Sequence, residues 1–316
     1  MPLGPPPTAP PSGPVAPTAP AAPVAPPPAA AGAAANTAAI GAAPVPVTAA
    51  RAQRDAAAAA MRRQSGTDPV QIARRIAAAL NAPPSVPDFD WNFVWATALT
   101  VDGTIVVANS YGLAYIPAGV NLPTQVRMAT ADESIPPGER AKWAAYPYLA
   151  LQGWAQHTGT SLRAVFGTDD QLQGIDPGAP KIILLEQDIP PDGTMQGRSR
   201  LEVVAPEAAA RLASVRDADL TNLLPLRPAD DTPPADNTDA LWFDMLKPLM
   251  QSGTGTEIAH LEAFVAYANN EYELALHRAH TAPDAVAQRA AIADWVYWQH
   301  VSVLVSDGLV GSAPKG

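Results

Sequence analysis

The 316-residue sequence contains no cysteine. A disulfide scaffold, a Cys-ligated zinc site, an iron–sulfur cluster and a thiol nucleophile are thereby excluded. The first 50 residues carry no charged side chain, and the first 88 carry no aromatic ring. All nineteen Phe, Trp and Tyr residues lie from Phe89 onward, whereas fifteen of the first 46 residues are Pro. Such a segment lacks the large side chains whose burial would offset the entropy of ordering it. Residues 1–67 therefore read as a disordered Pro/Ala-rich linker, its proline clusters favouring extended polyproline II. An Ala-rich stretch at 51–63 has the composition of a short helix without large apolar residues to dock it. The N-terminus has no basic n-region and prolines interrupt every apolar run, so it is not a signal peptide. No stretch of about 18 uninterrupted apolar residues follows, so no membrane insertion is expected. The expected location is the cytoplasm, with export by a non-Sec route as the alternative.

Charge is divided between the two parts. Residues 1–87 hold six Arg and two Asp, while the rest hold fourteen Lys or Arg and twenty-eight Asp or Glu. The folded part thus carries −14 of a chain whose total is −10. An acidic body argues against nucleic-acid binding, which needs clustered cations. It suits a basic or neutral protein partner. Sixteen of the twenty cations are Arg, which together with abundant Ala and Pro reflects codon usage rather than function.

The pattern of the remaining residues predicts an α+β fold: a mixed α/β sheet domain over 68–226, then a helical bundle over 227–316. Asp68-Pro69 offers an N-cap and a first-turn proline, and Ile72, Ile76 and Leu80 share one helical face that ends at Asn81. Residues 92–100 and 105–107 are rich in strand formers and flank Asp102-Gly103, which predicts a hairpin with a two-residue type I′ turn. Further strands are expected over 112–116, 124–128, 162–166, 182–185 and 201–204. Residues 138–156 read as a helix kinked or split by Pro147, and Pro206 starts another. A polar, proline-bearing segment over 227–238 precedes three helices. The first is cut by Pro248. The second carries Ile258, Leu261, Val265, Ala268, Tyr272 and Leu276 on one face, and the third spans 284–306.

No arrangement of residues spells out a reaction. His260-Leu261-Glu262 resembles half of a zinc-deaminase signature, but that chemistry needs two further ligands that a cysteine-free chain does not supply in the usual form. His260 reads as a satisfied or surface histidine. His277 and His280, three apart near a helix end, fit either a two-ligand metal face or a favourable helix-dipole contact. Gly253 and Gly255 lie between two helices and are not a phosphate loop. Asp169-Asp170 and Asp230-Asp231 read as solvated loop charge. No catalytic, cofactor-binding or metal residue is assigned, and no cofactor is expected. Trp295 and Trp298 share a helical face beside Tyr297, which suits core packing or a protein interface. They are the candidate partner-binding residues.

The stretches Asp88-Phe-Asp-Trp-Asn-Phe-Val-Trp-Ala96, Asp102-Gly-Thr-Ile-Val-Val-Ala-Asn-Ser-Tyr-Gly-Leu-Ala-Tyr-Ile-Pro117, Lys142-Trp-Ala-Ala-Tyr-Pro-Tyr148 and Trp295-Val-Tyr-Trp298 resemble the C-terminal part of the EspK family. These are mycobacterial proteins associated with type VII (ESX) secretion. The resemblance implies a non-enzymatic adaptor or chaperone that binds the secreted substrate EspB and helps deliver it to the secretion ATPase. The family's helical region ahead of the Pro/Ala tract is not in this sequence. If that region makes the substrate contact, these residues alone would not bind EspB. Tyr267-Ala-Asn-Asn-Glu271 fits the Tyr-x-x-x-Asp/Glu pattern of type VII signals, but the companion Trp-x-Gly turn is missing. Two rival readings remain open: a hydrolase or deaminase-like enzyme, whose sheets this element order resembles only loosely, and an exported envelope protein.

Overall fold

A computed structural model of the chain describes residues 68–83, 85, 93–230, 232–251 and 255–312, apart from the side chain at 312. The Pro/Ala tract, the helix expected over 51–63 and positions 252–254 of the expected glycine turn lie outside them. The architecture is α+β, a mixed five-stranded sheet with helices on both faces.

Helix α1, Pro69–Leu80, begins where Asp68 accepts the Val70 N–H at 3.0 Å, with Pro69 as its first helical residue. The Asn81 amide closes it by donating to the Ala77 carbonyl at 2.8 Å. Strands β1 (Trp95–Thr100) and β2 (Ile105–Asn109) form the expected antiparallel hairpin, with Leu99 opposite Ile105. Its turn differs from expectation. Only Gly103 has a positive φ, +88°; its N–H donates to Thr100 O, and the Thr100 N–H donates to Thr104 O. That is a three-residue loop with glycine in the left-handed position. A type I′ turn would also require Asp102 at positive φ, but the Asp102 carboxylate instead accepts the hydroxyls of Thr100 and Thr104.

Strand β3 (Val126–Met128) runs parallel to β2. Strand β4 (Leu162–Gly167) pairs antiparallel with β1, and β5 (Lys181–Ile183) parallel with β4, giving the order β3-β2-β1-β4-β5. Every residue of β1 and β2 is buried, because both faces of the sheet are covered. Ala96, Ala98, Val106, Ala108 and Val165 face helix α3 (Pro147–His157), which brings down Leu151, Trp154 and Ala155. Trp95, Leu99, Ile105, Val107 and Phe166 face α1 and the C-terminal helices.

Two expected strands are corrected. Residues 112–116 form a buried irregular loop, since Gly112 (φ +114°) and Ala114 (φ +58°) both leave the extended region. Such a loop must find partners for its backbone. The Tyr297 hydroxyl accepts the Ile116 N–H at 2.7 Å and faces the Ala114 carbonyl at 3.2 Å. Asn109 donates to the Tyr115 carbonyl at 2.7 Å, and Ala114 N–H donates to the Thr130 hydroxyl at 3.2 Å. The strand expected over 201–204 is a helix. A capping box between Ser199 and Glu202 starts a single turn, with the Ser199 N–H donating to the Glu202 carboxylate at 2.7 Å. The helix expected from Pro206 follows at Pro206–Ser214.

Helix α2 (Pro137–Ala141) and α3 are the two parts into which Pro147 splits the expected helix over 138–156. After them come the four-residue helix α4 (Asp169–Leu172), α5 (Arg200–Val204) and α6 (Pro206–Ser214). The described residues end in α7 (Thr238–Leu246), which tightens into a 3₁₀ turn at Pro248, then α8 (Thr256–Thr281) and α9 (Ala285–Ser312). The buried face of α8 is His260, Leu261, Phe264, Tyr267, Ala268 and Asn270, with Ala275 and Ala279, while Ile258 is 41% exposed. The face is rotated from expectation because two polar residues find partners inside. Asn270 donates to the Ala235 carbonyl at 2.9 Å and accepts the Asn237 N–H at 3.3 Å, and His260 lies against two carbonyls. Residues before and after the polar 227–238 segment contribute to one core.

Candidate functional site

The outer face of α3 carries two exposed apolar side chains, Tyr146 and Leu149, beside two hollows. Pro147 fixes the first helical φ and keeps the preceding Tyr146 out of the helical region, at φ −127° and ψ 78°. Tyr146 is 49% exposed. The helix buries Tyr148, Ala150, Leu151, Trp154 and Ala155 on the sheet, which places Leu149 on the opposite side at 45% exposure. Hollows lie on both flanks of this ridge, and Leu149 and Gln152 line both.

The larger hollow, about 550 Å³, runs past Tyr146, Tyr148 and Leu149 to Ile175, with Asp170 and Asp176 at its rim. The smaller, about 420 Å³, lies between Ile135, Trp143, Leu149 and His157, with Glu139 at its edge. The Trp143 indole lies directly on Gly153, where an added Cβ would come within 2.3 Å of the ring. Among the described residues no Lys or Arg lines either hollow, and Glu139 is paired with Lys142 at 2.7 Å on the exposed surface.

The walls are held by hydrogen bonds. Gln152 donates to the Asp176 carbonyl at 3.1 Å, and Asp176 accepts the Gly178 N–H at 2.9 Å. Gln171 of α4 donates to Asn81 at 2.7 Å, tying the rim to the end of α1. Beneath the smaller hollow, Trp154 donates its indole N–H to Asp132 at 2.8 Å, and Ser134 donates to the same carboxylate at 2.6 Å. Burial pulls the Asp132 carboxyl upward, but the Ser134 and Trp154 hydrogen bonds and the nearby Arg127 outweigh it and leave it below the ordinary range. Tyr148, at the inner wall, is buried with no hydrogen-bond partner for its hydroxyl among the described residues, and burial raises its pKa.

The residues singled out from sequence fall elsewhere. Trp298 is buried at 2% exposure among Tyr115, Tyr267 and Tyr297, with the Arg200 guanidinium 5.3 Å from its ring. Arg200 lies 4.4 Å from the Tyr297 ring and pairs with Asp294 at 2.6 Å. Trp295 is half-buried and packs against Tyr272, their ring centres 6.0 Å apart. His260 is fully buried, its Nδ1 2.8 Å from the Met245 carbonyl and its Nε2 3.3 Å from that of Tyr111. Burial holds its imidazole below the ordinary histidine value, against the pull of the Met245 carbonyl.

His277 and His280 border a recess of about 180 Å³ together with Glu273 and Asp230. Among the described residues no group of three or more His, Asp or Glu is arranged to hold a metal ion. Tyr267 of the Tyr-x-x-x-Glu match is a core residue, 7% exposed against Trp242 and Trp298. Of the first acidic pair, Asp170 lines the larger hollow beside α3. Sequence reading did not pick out Tyr146 and Leu149. The available signal was Pro147, which fixes the helix start and hence the phase that turns Leu149 outward.

A family profile described as "EspK C-terminal domain" matches residues 83–310. Over 271 residues, 85% of this chain, the sequence is 55% identical to the ESX-1 secretion-associated protein EspK of Mycobacterium tuberculosis (strain CDC 1551 / Oshkosh). Over 266 residues, 84% of this chain, it is 53% identical to an uncharacterised protein of Mycolicibacterium smegmatis (strain MKD8). The matched regions make up 37% and 36% of those two relatives. Among the described residues no helix is long and apolar enough to cross a membrane.

Proposed function

From the premise that this chain belongs to the EspK C-terminal domain family, we propose that it acts as a non-enzymatic adaptor or chaperone of type VII (ESX) secretion. In this reading it holds a secreted substrate such as EspB, or the secretion ATPase, on a cytoplasmic route to export. The name of the Mycobacterium tuberculosis relative, a secretion-associated protein of the ESX-1 system, supports the pathway. The observation that carries the binding role is the exposed ridge of α3, where Tyr146 and Leu149 stand between two open hollows. Protein partners are anchored by apolar and aromatic side chains in such hollows, ringed by polar groups. Because the chain spans little more than a third of its two relatives, their whole-protein partners are carried over here only as part of the proposal.

The test is direct. The purified chain is immobilised and offered purified EspB and purified ATPase separately. Retention of either at micromolar concentration is the expected result. Retention of neither would contradict the adaptor reading.

A further inference from the structure

The adaptor reading leaves open what kind of surface the partner presents, and the α3 ridge carries information on that point. Its two hollows meet at Leu149 and Gln152, so one continuous occupant can lie across the helix with an apolar side chain on each side of Leu149. The floor on both sides is apolar or aromatic: Ile175 and Tyr148 in the larger hollow, Ile135 and Trp143 in the smaller. Among the described residues the charged groups lining the larger hollow are two carboxylates, Asp170 and Asp176, and each is exposed. Asp176 is committed to the Gly178 N–H through one oxygen only. The surrounding body is itself strongly acidic, with twenty-eight carboxylates against fourteen cations from residue 88 onward. A field of that sign attracts cationic segments and repels anionic ones.

We infer that the ridge of α3 is a docking site for a cationic amphipathic segment of the partner. Two apolar side chains of that segment fill the hollows on either side of Leu149, and flanking Lys or Arg side chains meet Asp170 and Asp176. This rests on the adaptor reading and specifies its chemistry. Lys or Arg suits the rim because exposed carboxylates reward a cation by steering and register more than by raw affinity, while the apolar anchors supply the affinity.

The probe is a fluorescein-labelled amphipathic peptide of about sixteen residues, built from Leu and Ala on one helical face and Lys on the other. A matched peptide carries Glu in place of Lys. Binding to the full chain is followed by fluorescence anisotropy at low and high salt. The Lys peptide is expected to bind, to weaken as salt rises, and to exceed the Glu peptide in affinity.

Asp170→Lys combined with Asp176→Lys should weaken the Lys peptide roughly tenfold, and Leu149→Glu at least as much. The same charge change placed on exposed residues of the helical region, Asp239→Lys with Glu262→Lys, should leave it within about twofold. Melting curves check that each variant is folded; Leu149→Ala, which cannot introduce a buried charge, replaces Leu149→Glu if the latter melts early.

Equal binding of the two peptides, no binding of either, or equal losses in the ridge and control variants would overturn the inference. The two proposals fail separately. If EspB or the ATPase is retained by the parent chain and equally by the ridge variants, the docking site is wrong and the adaptor reading stands. If the parent retains neither, the adaptor reading itself falls.

Discussion

Tyr297 shows how one side chain can fix a segment that has no regular structure. Its hydroxyl accepts the Ile116 N–H and faces the Ala114 carbonyl, deep in a core where neither group meets water. Burial pushes its phenol up to about 12. Tyr297→Phe keeps the ring and leaves the Ile116 N–H without that partner, so it should cost about 1–3 kcal/mol in urea denaturation. An unchanged midpoint would show that the 111–116 loop is held without the Tyr297 hydroxyl. Asp132 gives a second residue-scale test. Its carboxyl is held below the ordinary range in the folded chain, so the folded state binds the proton less readily than the unfolded state does. The stability it contributes is complete above its unfolded value of about 3.9 and is lost as pH falls through the lowered folded value. Asp132→Asn should therefore flatten the acid limb of the stability–pH curve. A mutant curve parallel to the parent's below about pH 4 would contradict this.

At the scale of elements, local signals were readable where a single residue type dictates geometry. Asp68 and Pro69 announce α1, Pro147 splits the helix over 138–156, and Pro206 starts α6. Where an element depends on distant partners, the sequence was ambiguous. Residues 112–116 have strand composition, yet their partners are Tyr297, Thr130 and Asn109, two of them from outside the segment's neighbourhood. Leu201 to Val204 is apolar enough for a strand, but the Ser199–Glu202 capping box decides for helix. The α8 face was misphased because buried His260 and Asn270 count as polar in any periodicity reading, although the fold supplies their partners. The candidate surface was hidden for a related reason: Leu149 is ordinary in sequence, and only the helix phase turns it outward.

The packing of α9 on α2 makes an element-scale prediction. A Cβ on Gly138 would lie 2.5 Å from the Gly311 carbonyl oxygen, and one on Gly308 would lie 2.8 Å from the Leu113 side chain. Gly138→Ala must push two backbones apart and should cost about 1–3 kcal/mol. Glu139→Ala, one residue on, should stay within about 0.5 kcal/mol. Equal midpoints for the two variants would mean that α9 shifts freely on α2. In the hairpin, Gly103 at φ +88° predicts that Gly103→Ala loses about 1 kcal/mol by thermal melting, whereas an unstrained site would gain.

For the molecule as a whole, an α+β body of strongly acidic composition carries on α3 a ridge where Tyr146 and Leu149 stand exposed between two hollows. Of the two tryptophans offered as a binding face in the sequence, Trp295 is half-buried and Trp298 is buried, where Trp298 and Tyr297 join Tyr267, Tyr115 and Phe264 in a continuous ring cluster. Recognition, in this account, is left to Tyr146 and Leu149 and to the carboxylates beside them. The most direct measurement is hydrogen–deuterium exchange on the chain with and without whichever secretion component the affinity test retains. The account predicts slowed exchange across residues 145–157 and 170–176, with the amides of α8 and α9 unchanged. Protection confined to the C-terminal helices, with none over α3, would contradict it.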